Sequence, residues 1–66
     1  MKEREFFVSL VYADDSEMNF SVKVSGSDAD VHATLLMITR GTLMASCASR
    51  AYCYNDEGFD VCSYVR

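Results

Sequence analysis

The chain contains no proline and only three glycines among its 66 residues. Without proline, nothing interrupts a long helix or removes a strand's backbone donors. Three glycines leave no glycine-rich loop to cradle a phosphate. Bases are scarce too: six Lys and Arg stand against ten Asp and Glu, for a net charge of −4. That balance argues against direct binding of nucleic acid or of an anionic membrane, because both reward clustered cations. No apolar run approaches the roughly 18 residues of a membrane span. The opening MKEREFFVSL carries both charge signs and then alternates, unlike the unbroken apolar core of a secretory signal, so the expected setting is the cytoplasm.

Residues for catalysis or metal binding are equally sparse. There is one histidine, His32, and three cysteines, Cys47, Cys53 and Cys62. An odd cysteine count with no signal sequence fits reduced thiols. Together the four residues could supply a zinc set, but no C-x-x-C knuckle is present. Cys47 and His32 would lie about 22 Å apart along one helix, too far for a nucleophile and its base. The sequence therefore assigns no catalytic residue, no metal and no cofactor. Asn19-Phe20-Ser21 matches a glycosylation sequon, which has no meaning without secretion.

What remains is architecture. Half the residues are hydrophobic and 24% are charged, the composition of one small globular domain over residues 1–66. Residues 5–12 (EFFVSLVY) alternate, with Phe6, Val8, Leu10 and Tyr12 on one face. Residues 18–24 (MNFSVKV) do the same with Met18, Phe20, Val22 and Val24. Pairing Tyr12 with Met18 across the polar link 13–17 places every large residue on one face of a hairpin. Ser27 then reads as an N-cap, with Asp28 and Asp30 favoured by the positive end of the helix dipole. The helix is expected from about Asp28 to Ser49. Gly41 offers an alternative stop at Arg40, but the small, unbranched side chains of TLMASCAS favour continuation. Finally, Ala51–Tyr54 and Phe59–Val65 flank a turn containing Gly58. Opposing Tyr54 to Phe59 makes a second hairpin, with Cys53 and Cys62 as diagonal neighbours. The expected fold is α+β in the order ββαββ: two antiparallel hairpins in a four-stranded sheet, with one long helix on one face. Strands two and three should run parallel in direction.

Two functional expectations follow. Apolar residues occupy nearly every side of the helix: Val31, Leu35, Ile38 and Ala45 form one stripe, Leu36, Leu43 and Cys47 a second, and Met37, Met44 and Ala48 a third. The clearly polar sector holds only Asp28, His32, Thr39, Ser46 and Arg50. One small sheet covers one side, so Leu36, Met37, Leu43 and Met44 are expected to form an oligomer interface, most simply a homodimer. This describes a non-catalytic, self-associating protein–protein interaction domain whose loops or outer sheet face contact a target. The second expectation is a small acidic inhibitor docking on a basic site of a nucleic-acid-handling enzyme. The up-down order gathers Asp28, Asp30, Asp56 and Glu57 into an acidic pole. In size and acidity the chain resembles small phage-encoded anti-defence proteins; the resemblance lies in general character and assigns no residue a role.

Overall fold

The structure, a computed structural model, describes residues 2–66. Its elements are β1 (Arg4–Val11), β2 (Glu17–Val24), α1 (Asp28–Ala45), β3 (Arg50–Asn55) and β4 (Asp60–Val65). The strands form one antiparallel sheet in the order β2-β1-β3-β4, with the helix between β2 and β3 in sequence. This is the expected ββαββ arrangement. Both β2 and β3 pair antiparallel with β1, so they run in the same direction.

Register divides the sheet into two faces, because successive side chains along a strand alternate. Rows on the helix side are Met18–Leu10–Ala51–Tyr64, Phe20–Val8–Cys53–Cys62 and Val22–Phe6–Asn55. The opposite face carries Glu17–Val11–Arg50–Val65, Asn19–Ser9–Tyr52–Ser63 and Ser21–Phe7–Tyr54–Asp60. The core lies between the helix and the first set. Phe6, Val8, Val31, Leu35 and Cys53 form one buried cluster, and Leu10, Leu43, Ala48 and Ala51 a second beside it. Fully burying an aliphatic side chain of this size is worth about 1.5–3 kcal/mol.

The first hairpin keeps the expected face but shifts by two residues: Leu10, not Tyr12, opposes Met18. The loop is tighter than a link over residues 13–17. Tyr12 and Ser16 close it (N–H to O, 2.9 Å), and Asp15 takes a left-handed φ of 67°. One Asp14 carboxylate oxygen accepts from both the Ser16 N–H (3.1 Å) and its hydroxyl (2.6 Å). A shift of two preserves the pleat, so the hydrophobic face survives.

The helix starts where expected. Ser27 accepts from the Asp30 N–H at 3.2 Å, and Asp28 and Asp30 occupy the first turn. It passes straight through Gly41 and ends at Ala45, four residues short of Ser49. Ser46 stops it: its backbone N–H and hydroxyl both turn back to the Leu43 carbonyl, at 3.2 and 2.9 Å. No base lies in the last turn. Arg66 fills that role from the far end of β4. Its guanidinium donates to the carbonyls of Leu43 and Ser46, and through Nε to that of Ala48 at 2.8 Å. The carbonyls at the helix end, Leu43's already shared with Ser46, thus meet a cation that the dipole favours.

The buried stripe of the helix is Val31, Leu35, Thr39 and Leu43, a run of i+4 steps. This corrects two expectations. Thr39, placed on the polar sector, is 0% exposed, and the Cys62 thiol donates to its Oγ1 at 3.6 Å. Leu43, assigned to a partner interface, is 2% exposed in its own protomer's core. Choosing Thr39 over Ile38 as the stripe's centre rotates the helix toward β4, and a hydroxyl is tolerated there because a thiol meets it.

The second hairpin also differs from expectation. Tyr54 pairs with Asp60 and Cys53 with Cys62, so Val61 is the extra residue of a β-bulge. Phe59 stands 67% exposed at the turn instead of opposing Tyr54. Asn55 organises that turn, its side-chain oxygen accepting from the N–H groups of Glu57 and Phe59, both at 2.9 Å. Gly58 supplies the left-handed residue with φ +87°. The bulge lets Val61 and Cys62 both pack against the first core cluster.

Candidate interaction surfaces

Three surfaces compete as functional sites. The first is the solvent side of the helix. Met37 is 76% exposed and Met44 58%, with Leu36 half-buried at their flank. Of the four residues expected at an interface, these three remain available and Leu43 does not. Ala33, Arg40 and Gly41 are exposed on the same helix. A Cβ built on Gly41 would meet nothing within 4 Å. Within one protomer, therefore, no packing contact accounts for a glycine that costs the helix about 1 kcal/mol relative to alanine.

The second is the acidic pole. The helix start and the second hairpin's turn do lie at the same end: Asp28, His32 and Asn55 share the lining of one cavity of about 240 Å³. Bases intrude on this end. Arg4 holds Asp28 at 2.7 Å, the one ion pair among the described residues. Lys2 and Arg4 line a larger depression together with Glu3, Glu5, Asp56 and Glu57. Asp28 is thus partly compensated, whereas Asp30, Asp56 and Glu57 are exposed without an ion-pair partner among the described residues.

The third surface is the outer face of the sheet, expected with the loops to contact a target but without named residues. Phe7 and Tyr54 are neighbours in one row, with ring centroids 5.7 Å apart and planes 22° from parallel. Tyr52 occupies the next row, and the Arg50 guanidinium sits 5.6 Å from its ring centroid. Beneath the tyrosines Ser9 is 5% exposed. Its hydroxyl donates to the Asn19 side-chain oxygen at 2.6 Å, which leaves the Tyr54 hydroxyl to donate to Ser9 at 3.2 Å. Tyr52, Tyr54, Ser9, Glu17, Gly58 and Asp60 surround a shallow hollow of about 420 Å³. The available signal was the tetrapeptide Ala51-Tyr52-Cys53-Tyr54: its small residues fit under a helix, so its tyrosines belong on the other face with Phe7.

The groups weighed for metal or catalytic chemistry lie apart. His32 and Cys47 are exposed, Cys53 is buried and Cys62 half-buried. Among the described residues, no three or more His, Cys, Asp or Glu side chains are grouped to hold a metal ion. Cys53 and Cys62 are directly opposed across β3 and β4, not diagonal as expected. Burial, and then the neighbouring Cys62, push the Cys53 thiol up to about 11. It stays protonated at neutral pH, and a protonated thiol is a poor nucleophile. No helix of the described residues is long and apolar enough to cross a membrane.

Compared with protein-family models, curated proteins and solved structures, the chain matches none.

Proposed function

We propose that the chain is a non-catalytic, self-associating protein–protein interaction domain of the cytoplasm. In this reading a second copy covers the Met37–Gly41–Met44 side of the helix. The observation that carries it is two largely exposed methionines flanking a glycine with open space where a side chain would be. Unbranched methionines adapt to a facing surface, and a glycine between them lets a second backbone come close. Three cysteines, none of them in a disulfide, support the cytoplasmic setting.

Solution mass tests the reading. A dimer mass should collapse to a monomer in Met44→Asp, and stability should fall by the amount that association contributed. The aspartate itself, on an exposed site, should cost one protomer under about 0.5 kcal/mol. A wild-type chain that stays monomeric throughout the micromolar range removes the proposal.

A second reading draws on the acids. Asp30, Asp56 and Glu57 stand exposed at one end of the chain, as a small inhibitor docking on a basic site of a nucleic-acid-handling enzyme would present them. Binding of such a target would weaken steeply with salt. Charge reversal at Asp28, Asp30 and Asp56 together would abolish it; unaltered binding rejects the pole.

A further inference from the structure

The outer face of the sheet has properties that core packing does not require. An exposed sheet face on a small acidic domain is most simply lined with short polar and charged side chains. Here three aromatic rings, Phe7, Tyr52 and Tyr54, lie on adjacent rows, and the hollow beside two of them is bounded by carboxylates. Glu17 comes from edge strand β2, and Asp60 from edge strand β4. Neither forms an ion pair among the described residues, and no basic side chain lines the hollow. Ser9 at the floor has committed its proton to Asn19, so it brings no donor to a hollow bounded by Tyr52, Tyr54 and the carboxylates of Glu17 and Asp60. Rings and carboxylates together attract one class of group: a cation carrying N–H donors. The face already shows the pairing internally, since Arg50 lies over Tyr52. Phosphate-bearing partners meet two negative groups at this hollow and are disfavoured.

We propose that this face is a docking site for a basic segment of another protein, which inserts an Arg or Lys side chain between Tyr52, Tyr54, Glu17 and Asp60. This deepens the interaction-domain reading by giving the partner's chemistry. The helix and this face lie on opposite sides of the sheet, so one can fail while the other stands.

The test uses an acetylated, amidated hexa-arginine peptide titrated into the full chain at low salt, followed by amide chemical shifts. Shifts should centre on Ser9, Tyr52, Tyr54 and Asp60. The double variant Glu17→Gln with Asp60→Asn should weaken binding by roughly tenfold or more. Tyr52→Leu should weaken it by about fivefold through loss of the ring. A control removes the same two charges elsewhere: Asp28→Asn with Asp30→Asn should change affinity by less than about twofold. The charge variants are isosteric, so circular dichroism should show an unaltered fold. Equal losses in the two double variants would reduce the effect to net charge and overturn the proposal, as would shifts centred on the helix start. Tight binding of oligothymidylate at the tyrosines would overturn it in favour of a nucleic-acid platform. Failure of hexa-arginine to bind at all sinks it, whatever the oligomeric state.

Discussion

The two faces of the sheet are built from the same four strands, yet they obey different rules. The helix side is filled by Phe6, Val8, Leu10, Ala51 and Cys53, all buried, and its one polar intrusion, Thr39, is met by a thiol. On the outer side a seryl hydroxyl is buried beneath tyrosines, a guanidinium rests on a ring, and carboxylates mark both edges. The first face is explained by folding alone. On the second, Phe7, Tyr52 and Tyr54 stay half-buried with no element of the described residues packed over them, and an aromatic patch of this kind is a candidate recognition surface.

Substitutions can break or sharpen this contrast. The largest effect is expected from Leu35→Ala, which empties a fully buried site beneath the helix. It should cost about 2–5 kcal/mol in urea unfolding, whereas Tyr52→Leu on the outer face should cost far less. Next comes Arg66→Ala, which strips donors from three carbonyls at the end of the helix. A loss of about 1–3 kcal/mol is expected, with faster amide exchange at residues 43–46. Tyr54→Phe removes one hydroxyl from the Ser9–Asn19 chain and should cost about 0.5–1.5 kcal/mol; a larger loss would mean the outer face is structural.

Titration separates the buried helix side from an exposed loop as well. Cys53 titrates on the helix side with its value raised from 9.0 to about 11. For a group whose folded value is raised, the stability is complete below pH 9 and is lost as pH rises toward 11. Native thiol labelling should accordingly modify Cys47 first and Cys53 last; early labelling of Cys53 would deny its burial. The smallest effect belongs to Asp14, whose hydrogen bonds from Ser16 hold its carboxyl below the usual 3.8. Its contribution is present above pH 3.8 and is lost as pH falls below it, so Asp14→Asn should flatten the acid limb of the stability profile slightly.

Much of the fold was legible because strand periodicity and caps are local signals. Phe6, Val8, Phe20 and Val22 declared a face, and Ser27 with two aspartates declared a helix start. The errors came where a distant contact decided the outcome. Arg66 and Ser46 set the helix end, but nothing near residue 45 announces a cap supplied from residue 66. Thr39 looked polar on a wheel; only the approach of Cys62 makes its burial acceptable. The Val61 bulge depends on the Asn55 turn, whose two side-chain hydrogen bonds shift the pairing by one residue. Of the expected interface, Leu43 was lost to the core for the same reason that Thr39 was gained: the wheel does not say which way a helix rotates on its sheet. The outer aromatic row required knowing that β1 and β3 are neighbours, a topological fact absent from either segment.

That neighbourhood has a kinetic consequence. Strand β1 sits at the centre of the sheet, bonded on one side to β2, which follows it within a short loop, and on the other to β3, roughly forty residues away at the Val11–Arg50 pair. The first hairpin can zip within microseconds, but it cannot acquire its second neighbour until the helix has folded back across it. Refolding should therefore be governed by that single long closure, and a circular permutant that joins the existing ends and opens the chain between β2 and the helix, linking β1 to β3 by the shorter path through β4, should fold faster.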